Sequence, residues 1–309
     1  MIARRTSIAL RRLWNLAAAL VAAVALVAAE PVRAQSPAPG GAAAVPAREL
    51  FGAVNAPAPL AARAVGFYSK GCLAGGAALP VTGATWQVMR LSRNRNWGHP
   101  DLIDFLERFA AVVPTVSNWR GILVGDMAQP RGGPMRTGHA SHQVGLDADI
   151  WLTPSPGHEL SRAERESLSA TMVVRPDRLD VDPKVWTPDH IAVIRAAALD
   201  PRVERIFVNA AIKKALCRDA RGDRGWMTKV RPYWGHDYHM HVRLSCPADS
   251  PDCRPQEPPP QGDGCGADLA WWFTDEVLHP KPPKVPPKPT PPLILADLPP
   301  ACAAVLGAH

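Results

Sequence analysis

An α+β fold is expected for this sequence, and three observations are consistent with it. The stretches 146–152 and 238–244 alternate apolar and polar residues with the period of a strand, while other segments repeat their apolar residues with the period of a helix. Six cysteines, an even number, lie at 72, 217, 246, 253, 265 and 302. All of them follow an N-terminus that reads as an export signal, so they predict a disulfide framework.

In chain order, residues 1–34 have the composition of a secretory signal. Arg4, Arg5, Arg11 and Arg12 precede an Ala/Val/Leu run over 16–29, and Val32-Arg33-Ala34 offers a cleavage site before Gln35. The rival reading is a membrane anchor. The run is shorter than the ~20 residues a span needs, and the cleavage site follows it directly. Arg4-Arg5 fits a twin-arginine signal poorly, and the choice between the Sec and twin-arginine routes stays open. No later segment has the length and apolarity of a span, so the mature chain is expected to be soluble in the periplasm. The full chain carries +7; residues 1–34 hold five Arg and one Glu, which leaves the mature part near +3. That excess does not indicate nucleic acid, and it suits approach to an anionic polymer such as a cell wall.

Residues 35–62 are rich in Ala and Pro without a period and are expected to form a flexible arm. Residues 63–302 are expected to form one domain, with 303–309 as a tail. Within it, 65–92 reads as strands and turns. Leu102, Phe105, Leu106, Phe109 and Val113 give helical spacing over 101–113. Residues 121–124 are a short core strand ending at Asp126, and the breakers of 129–134 mark a loop. Helices are expected over 161–170 and 187–199, the second with Thr187 as cap and Pro188 in its first turn. A strand at 203–208 and a helix at 210–217 follow. From 247 to 302 the chain is irregular, and the proline-rich 280–292 is expected to be an extended strap returning Cys302 to the body. Cys246 and Cys253 flank six residues and are expected to pair, a loop closure worth about 2.5 kcal/mol. A cysteine zinc site would need a CxxC pair, and none is present.

The two alternating stretches carry the chemistry. In the first, Asp147, Asp149 and Trp151 share a face, and two carboxylates on a buried face demand compensation. His142 precedes Asp149 by seven residues and can meet it at one cation if the chain turns at Gly145. In the second, His239, His241 and Arg243 share a face. If the strands are neighbours, His142, Asp149 and His241 converge as two imidazoles and a carboxylate, which leaves a coordination position open, as in catalytic rather than structural zinc sites. The bland alternative is a half-exposed sheet with ordinary polar residues. Against it, five of the ten His fall in these two stretches at ligand-compatible spacing. Asp177, Asp180 and Asp182 form an acidic loop; Asp177 and Asp180 are candidates for a second metal, although such loops are usually just solvated.

The pattern His-x6-Asp followed much later by His-x-His resembles the LAS group of metallopeptidases. The segments 90–100, 138–142 and 145–149, together with His236-x-x-His239-x-His241, resemble more closely the penicillin-insensitive murein endopeptidase family, peptidase M74-like, over about 65–302. The resemblance implies a small antiparallel sheet carrying both metal stretches, flanked by helices and long disulfide-tied loops. It also implies the pairs Cys72–Cys302 and Cys217–Cys265. The implied reaction is zinc-dependent hydrolysis of the D-alanyl–meso-diaminopimelyl crosslink of peptidoglycan, insensitive to β-lactams, which acylate serine.

Within that frame His142, Asp149 and His241 are the expected ligands, with His139 as an outer ligand or an orienting group. His239 and His236 are the expected catalytic groups, taking a proton or stabilising an oxyanion. Asp147 is placed to hold a ligand imidazole in one tautomer. Trp97, His99, Trp226, Lys229, Arg231, Tyr233 and Trp234 are candidates for holding the peptide and its carboxylates. Ser141 lacks a nucleophile elbow, and HExxH is absent. The rivals are a D-Ala-D-Ala carboxypeptidase or dipeptidase of the same group, a non-catalytic wall-binding protein, and an exported structural scaffold.

Overall fold

Alternation in two distant segments gives strands only if a sheet joins them, and the computed structural model, which describes residues 45–283 and 285–309, does so. In chain order come α1 (Ala47–Phe51), β1 (Arg63–Phe67), β2 (Lys70–Ala74), β3 (Ala77–Ala78), β4 (Trp86–Val88), β5 (Trp97–Gly98), α2 (Pro100–Val116), β6 (Ile122–Val124) and β7 (Asp147–Trp151). Then follow α3 (Arg162–Ser167), α4 (Pro188–Leu199), β8 (Val203–Val208), α5 (Ala210–Asp219), β9 (Val230–Pro232), β10 (His239–Leu244), α6 (Ala267–Trp271), α7 (Asp275–Leu278) and α8 (Ala301–Gly307).

Six strands form the main sheet in the order β4-β6-β7-β10-β8-β9. Its centre is antiparallel, and His241 stands opposite Asp149 across the β10–β7 pair. The edge pairs β4–β6 and β8–β9 are parallel, a departure from the all-antiparallel expectation. A parallel pair needs a crossover, and α2 and α5 occupy those two connections. One side of the sheet holds the core: Leu146, Ala148 and Ile150 meet Met240 and Val242 together with Leu102, Phe105 and Phe109 of α2. The opposite side is left to Asp147, Asp149, His239 and His241. Period-two alternation thus separates apolar packing from chemistry along the same two strands.

The helices start where local sequence allows. Pro100 opens α2, and the His99 Nδ1 accepts from the Asp101 amide at 3.2 Å. Ser161 and Glu164 close a capping box on α3, which ends at Ser167, short of the expected 170. In α4 the His190 Nδ1 accepts from the Thr187 amide at 3.1 Å.

Three disulfides join Cys72–Cys302, Cys217–Cys265 and Cys246–Cys253, and no free cysteine is present. Both termini of the expected domain need correction. The expected signal, 1–34, and residues 35–44 of the expected arm lie outside the described residues. From residue 45 the chain is docked: Phe51 is 1% exposed and packs with Cys72, Leu298, Cys302 and Val305, and the Ala47 amide donates to the Leu293 carbonyl. Burying one such phenylalanine is worth about 1.5–3 kcal/mol, which composition averaged over 35–62 conceals. The expected tail 303–309 is mostly α8, held by Val305 and by Cys302 at its start. Residues 280–292, apart from Lys284, are exposed and irregular. No helix among the described residues is long and apolar enough to cross a membrane.

Candidate metal centre

The loop before β7 reverses at Gly145, with φ +74°. A Cβ there would lie 2.7 Å from a Leu73 methyl and 2.9 Å from the His99 amide nitrogen, so the turn needs glycine. His142 itself adopts φ +67°, a left-handed conformation that costs a non-glycine residue energy and has to be held by its surroundings. What holds it is Asp147: its Oδ2 accepts from the His142 amide at 3.1 Å. Its Oδ1 faces the His241 Nε2 at 2.8 Å and the Arg243 Nε at 2.7 Å. One fully buried carboxylate therefore ties the His142 loop to β10. Burial opposes its ionisation, but Arg243 and His241 hold it well below the usual carboxylate range.

The donors converge on Asp149. His241 Nδ1 lies 3.2 Å from Asp149 Oδ1, and His142 Nε2 and His239 Nε2 each lie 3.5 Å from it. His139 Nδ1 lies 3.5 Å from Asp149 Oδ2. The donor atoms of His139, His142 and Asp149 all fall within 4.8 Å of one another, and no other group of three or more His, Cys, Asp or Glu does so among the described residues. His139 thus belongs to the tightest group, because it shares the short loop with His142. His241, expected there from spacing, reaches the same carboxylate from the facing strand.

Two of these imidazoles are backed by a carboxylate on their far nitrogen. Asp147 stands behind His241, and Asp126 stands behind His139, at 2.9 Å from its Nε2. In both, Nδ1 is left facing Asp149. Such carboxylate–imidazole pairs fix the tautomer and orientation of metal ligands. Asp126 also binds Arg95 at 2.8 Å and Arg93 at 3.0 Å. Burial works against its charge, but these partners bring its pKa down to about 2. Only the position of Asp126 at the end of a fully apolar strand hinted at it in the sequence; its partner could not be read there.

The carboxylate and two of the imidazoles have charge states that suit a cation. Burial opposes ionisation of Asp149, yet His142 and His239 hold it well below the usual carboxylate range. Burial lowers the pKa of His142 and of His239. For His241 burial acts in the same sense, but Asp147 and Asp149 outweigh it and raise the value to about 9. The test of fit is the set of orphaned atoms. His142 is 0% exposed and neither ring nitrogen has a hydrogen-bond partner; Asp149 Oδ1 and His239 Nδ1 are also buried without one. Leaving such groups unpaired costs on the order of 1–3 kcal/mol each, and a bound cation removes that cost at the carboxylate and at His142 Nε2, the ring nitrogen that faces it. An ionised carboxylate among imidazoles is a zinc-type donor set.

His236 sits beside this group with φ +60°, its ring 4.8 Å from that of His239. Its Nδ1 donates to the Trp234 carbonyl at 2.8 Å, so Nε2 of the neutral ring is an acceptor. Burial and the neighbouring imidazoles push its pKa down to about 3. Two clefts meet at His139. One is lined by Arg90, Arg93, Asp126, Trp151, Tyr238 and His239, the other by Phe67, Phe207, Tyr233, His236, Arg243 and Gln256.

Other expected positions lie elsewhere. Asp177 pairs with Arg175 at 2.5 Å, and Asp180 with Arg218 at 2.7 Å and Lys214 at 3.8 Å. Their oxygens are taken by cationic side chains of this chain, so the acidic loop does not assemble a second ligand set. His99 and Trp226 are buried, Trp97 bonds Asn94, and Lys229 donates to the Asp200 carbonyl. Of the candidates for peptide contact, Tyr233 lines one cleft and is 52% exposed, and Trp234 beside it in the chain is 49% exposed.

Oriented imidazoles around a buried carboxylate, open to a cleft on each side, are the donor set of a metal-dependent hydrolase, and the family match fixes the class as a metallopeptidase. The family model of Peptidase M74, penicillin-insensitive murein endopeptidase, matches residues 64–307. The chain belongs to that family and is an enzyme. It is 46% identical over 249 residues to the penicillin-insensitive murein endopeptidase of Pectobacterium atrosepticum, covering 80% of this chain and 85% of the relative. It is 45% identical to that of Klebsiella pneumoniae, covering 83% and 90%. Against that of Yersinia enterocolitica it is 42% identical over 287 residues, covering 93% and 96%.

Proposed function

We propose that this chain is a zinc-dependent, periplasmic murein endopeptidase that hydrolyses the D-alanyl–meso-diaminopimelyl crosslink and is insensitive to β-lactams. The observation that carries the metal is the buried His142 ring, unpaired at both nitrogens beside the unpaired Asp149 Oδ1. His142, Asp149 and His241 would hold the ion, with His139 on its more exposed side. When bound, zinc supplies Lewis-acid polarisation of the scissile carbonyl and a nucleophile at neutral pH. Asp147 holds the proton on His241 Nε2 and thereby keeps Nδ1 directed at the site. His239, 12% exposed and lining one cleft, is placed to take a proton from the attacking water and pass it to the leaving amine. His236 presents Nε2 on the side of the other cleft and orders the reacting groups there. A β-lactam has no serine nucleophile to acylate in this machinery.

The experiment is digestion of purified crosslinked muropeptide dimer by the chelator-treated protein, with and without one equivalent of zinc, in the presence of penicillin. Zinc-restored monomer release is the expected result. Removal of terminal D-Ala from free pentapeptide with the dimer left intact would move the reading to a carboxypeptidase. Binding to sacculi without any cleavage would make the protein a wall-binding module.

A further inference from the structure

We propose that Trp234, Trp271 and Trp272 form a platform on which the sugar backbone of the wall polymer stacks while its peptide lies in the cleft. The proposal rests on the murein endopeptidase reading of the site. Trp234 comes from the turn between β9 and β10, and Trp271 and Trp272 from the end of α6. The ring centroids of Trp234 and Trp272 are 4.9 Å apart with planes at 59°, and those of Trp271 and Trp272 are 5.3 Å apart with planes at 80°, so the three rings make a folded surface that presents separate indole faces to successive sugars. Trp271 is 48% exposed and Trp234 49%. Exposed tryptophan at this density is costly unless something covers it, and contiguous apolar surface of this kind marks a binding site.

The platform is built rigidly. Cys265, just ahead of α6, is bonded to Cys217 of α5. Lys213 donates to the Asp263 carbonyl, and Leu269 is buried beneath the helix. The platform is also continuous with the active cleft, since the Trp234 carbonyl accepts from His236 and the Tyr233 ring stands 5.7 Å from that of His236.

Charge selects the occupant. Residues 266–280 contain Asp268, Asp275 and Glu276, all exposed, and no Lys or Arg. Lys214 approaches this segment, but over the next ring, Phe273. Free carboxylates of peptide stems are disfavoured beside three acidic groups, whereas an uncharged N-acetylated sugar is not. A pyranose offers an apolar C–H face to an indole and hydroxyls to water, which fits half-exposed rings. The peptide stem is covalently attached to the glycan, so the sugar chain must pass close to the peptide cleft, one wall of which, Tyr233, directly precedes Trp234 in the chain.

The test compares two substrates, intact sacculi and a crosslinked peptide dimer stripped of its sugars, on wild type, Trp271→Ala and Trp271→Tyr. In Trp271→Ala the rate on sacculi should fall about tenfold, the effect expected of a stacking anchor, while the rate on the sugar-free dimer stays within about twofold. Trp271→Tyr should restore most of the loss. In parallel, peptide-free glycan strands should give a saturable change in tryptophan fluorescence with wild type and not with Trp271→Ala. An equal loss on both substrates, or no loss on either, overturns the proposal. So does sedimentation showing that the platform joins two copies of the chain and that Trp271→Ala separates them. If wild type cuts neither substrate, the endopeptidase reading fails, and the glycan titration still decides the platform.

Discussion

Two acidic segments of this chain look alike in sequence and differ in fate. In 147–149 the carboxylates of Asp147 and Asp149 are buried, and Asp149 Oδ1 meets three imidazole nitrogens without a hydrogen-bond partner. In 177–180 Asp177 and Asp180 are bound by Arg175, Arg218 and Lys214 near the surface. The difference lies in desolvation and partner type. A carboxylate in water beside an arginine is already compensated, at little net gain. A buried one ringed by imidazoles, with its Oδ1 left without a hydrogen-bond partner, is a seat for a cation from outside. Clustering of Asp by itself therefore does not mark a metal site; buried acceptors left unpaired do.

The largest effect expected from this contrast is at the donors. Asp149→Ala, His142→Ala and His241→Ala should each abolish crosslink hydrolysis and reduce bound zinc from about one per chain to near zero. Metal analysis of the purified variants checks it, and full zinc in the His142 variant would break the contrast.

Next comes His239→Ala, which shares the rim of Asp149 but is expected to act on protons. It should keep its zinc and lose about 10²–10⁴ in rate on the peptide dimer. Loss of zinc here with retention in His241→Ala would reverse the two roles; unaltered turnover would remove His239 from the chemistry.

A smaller effect is expected one step behind the donors. Asp126→Asn keeps the shape behind His139 but weakens its hold, and zinc affinity should drop about 10-fold, within the range for orienting carboxylates. Competition with a chromophoric chelator measures it. An unchanged affinity would leave His139 outside the site.

The smallest belongs to the other segment. Asp177→Asn and Asp180→Asn should leave zinc stoichiometry and rate unaltered and change stability by less than about 1 kcal/mol, as for ion pairs that solvent reaches. Thermal unfolding and metal analysis of the double variant test this; loss of a second equivalent of metal would erase the distinction between the two segments.

The sequence alone determined what is periodic or local. The alternation of Leu146, Ala148 and Ile150 with Asp147 and Asp149 assigns faces whatever the strand pairs with, because side chains on a strand alternate by geometry. The glycine at 145 and the proline in the first turn of α4 act through their own backbone, so they could be read in place. Tertiary structure decided everything that depends on a partner distant in sequence. Only pairing of β7 with β10 puts His241 opposite Asp149. Only the fold brings Asp126 behind His139 and places Arg218 on Asp180. The docked Phe51 and helix α8 were hidden for the same reason: burial is a property of the pair, and an Ala/Pro-rich composition carries no record of what lies across from it.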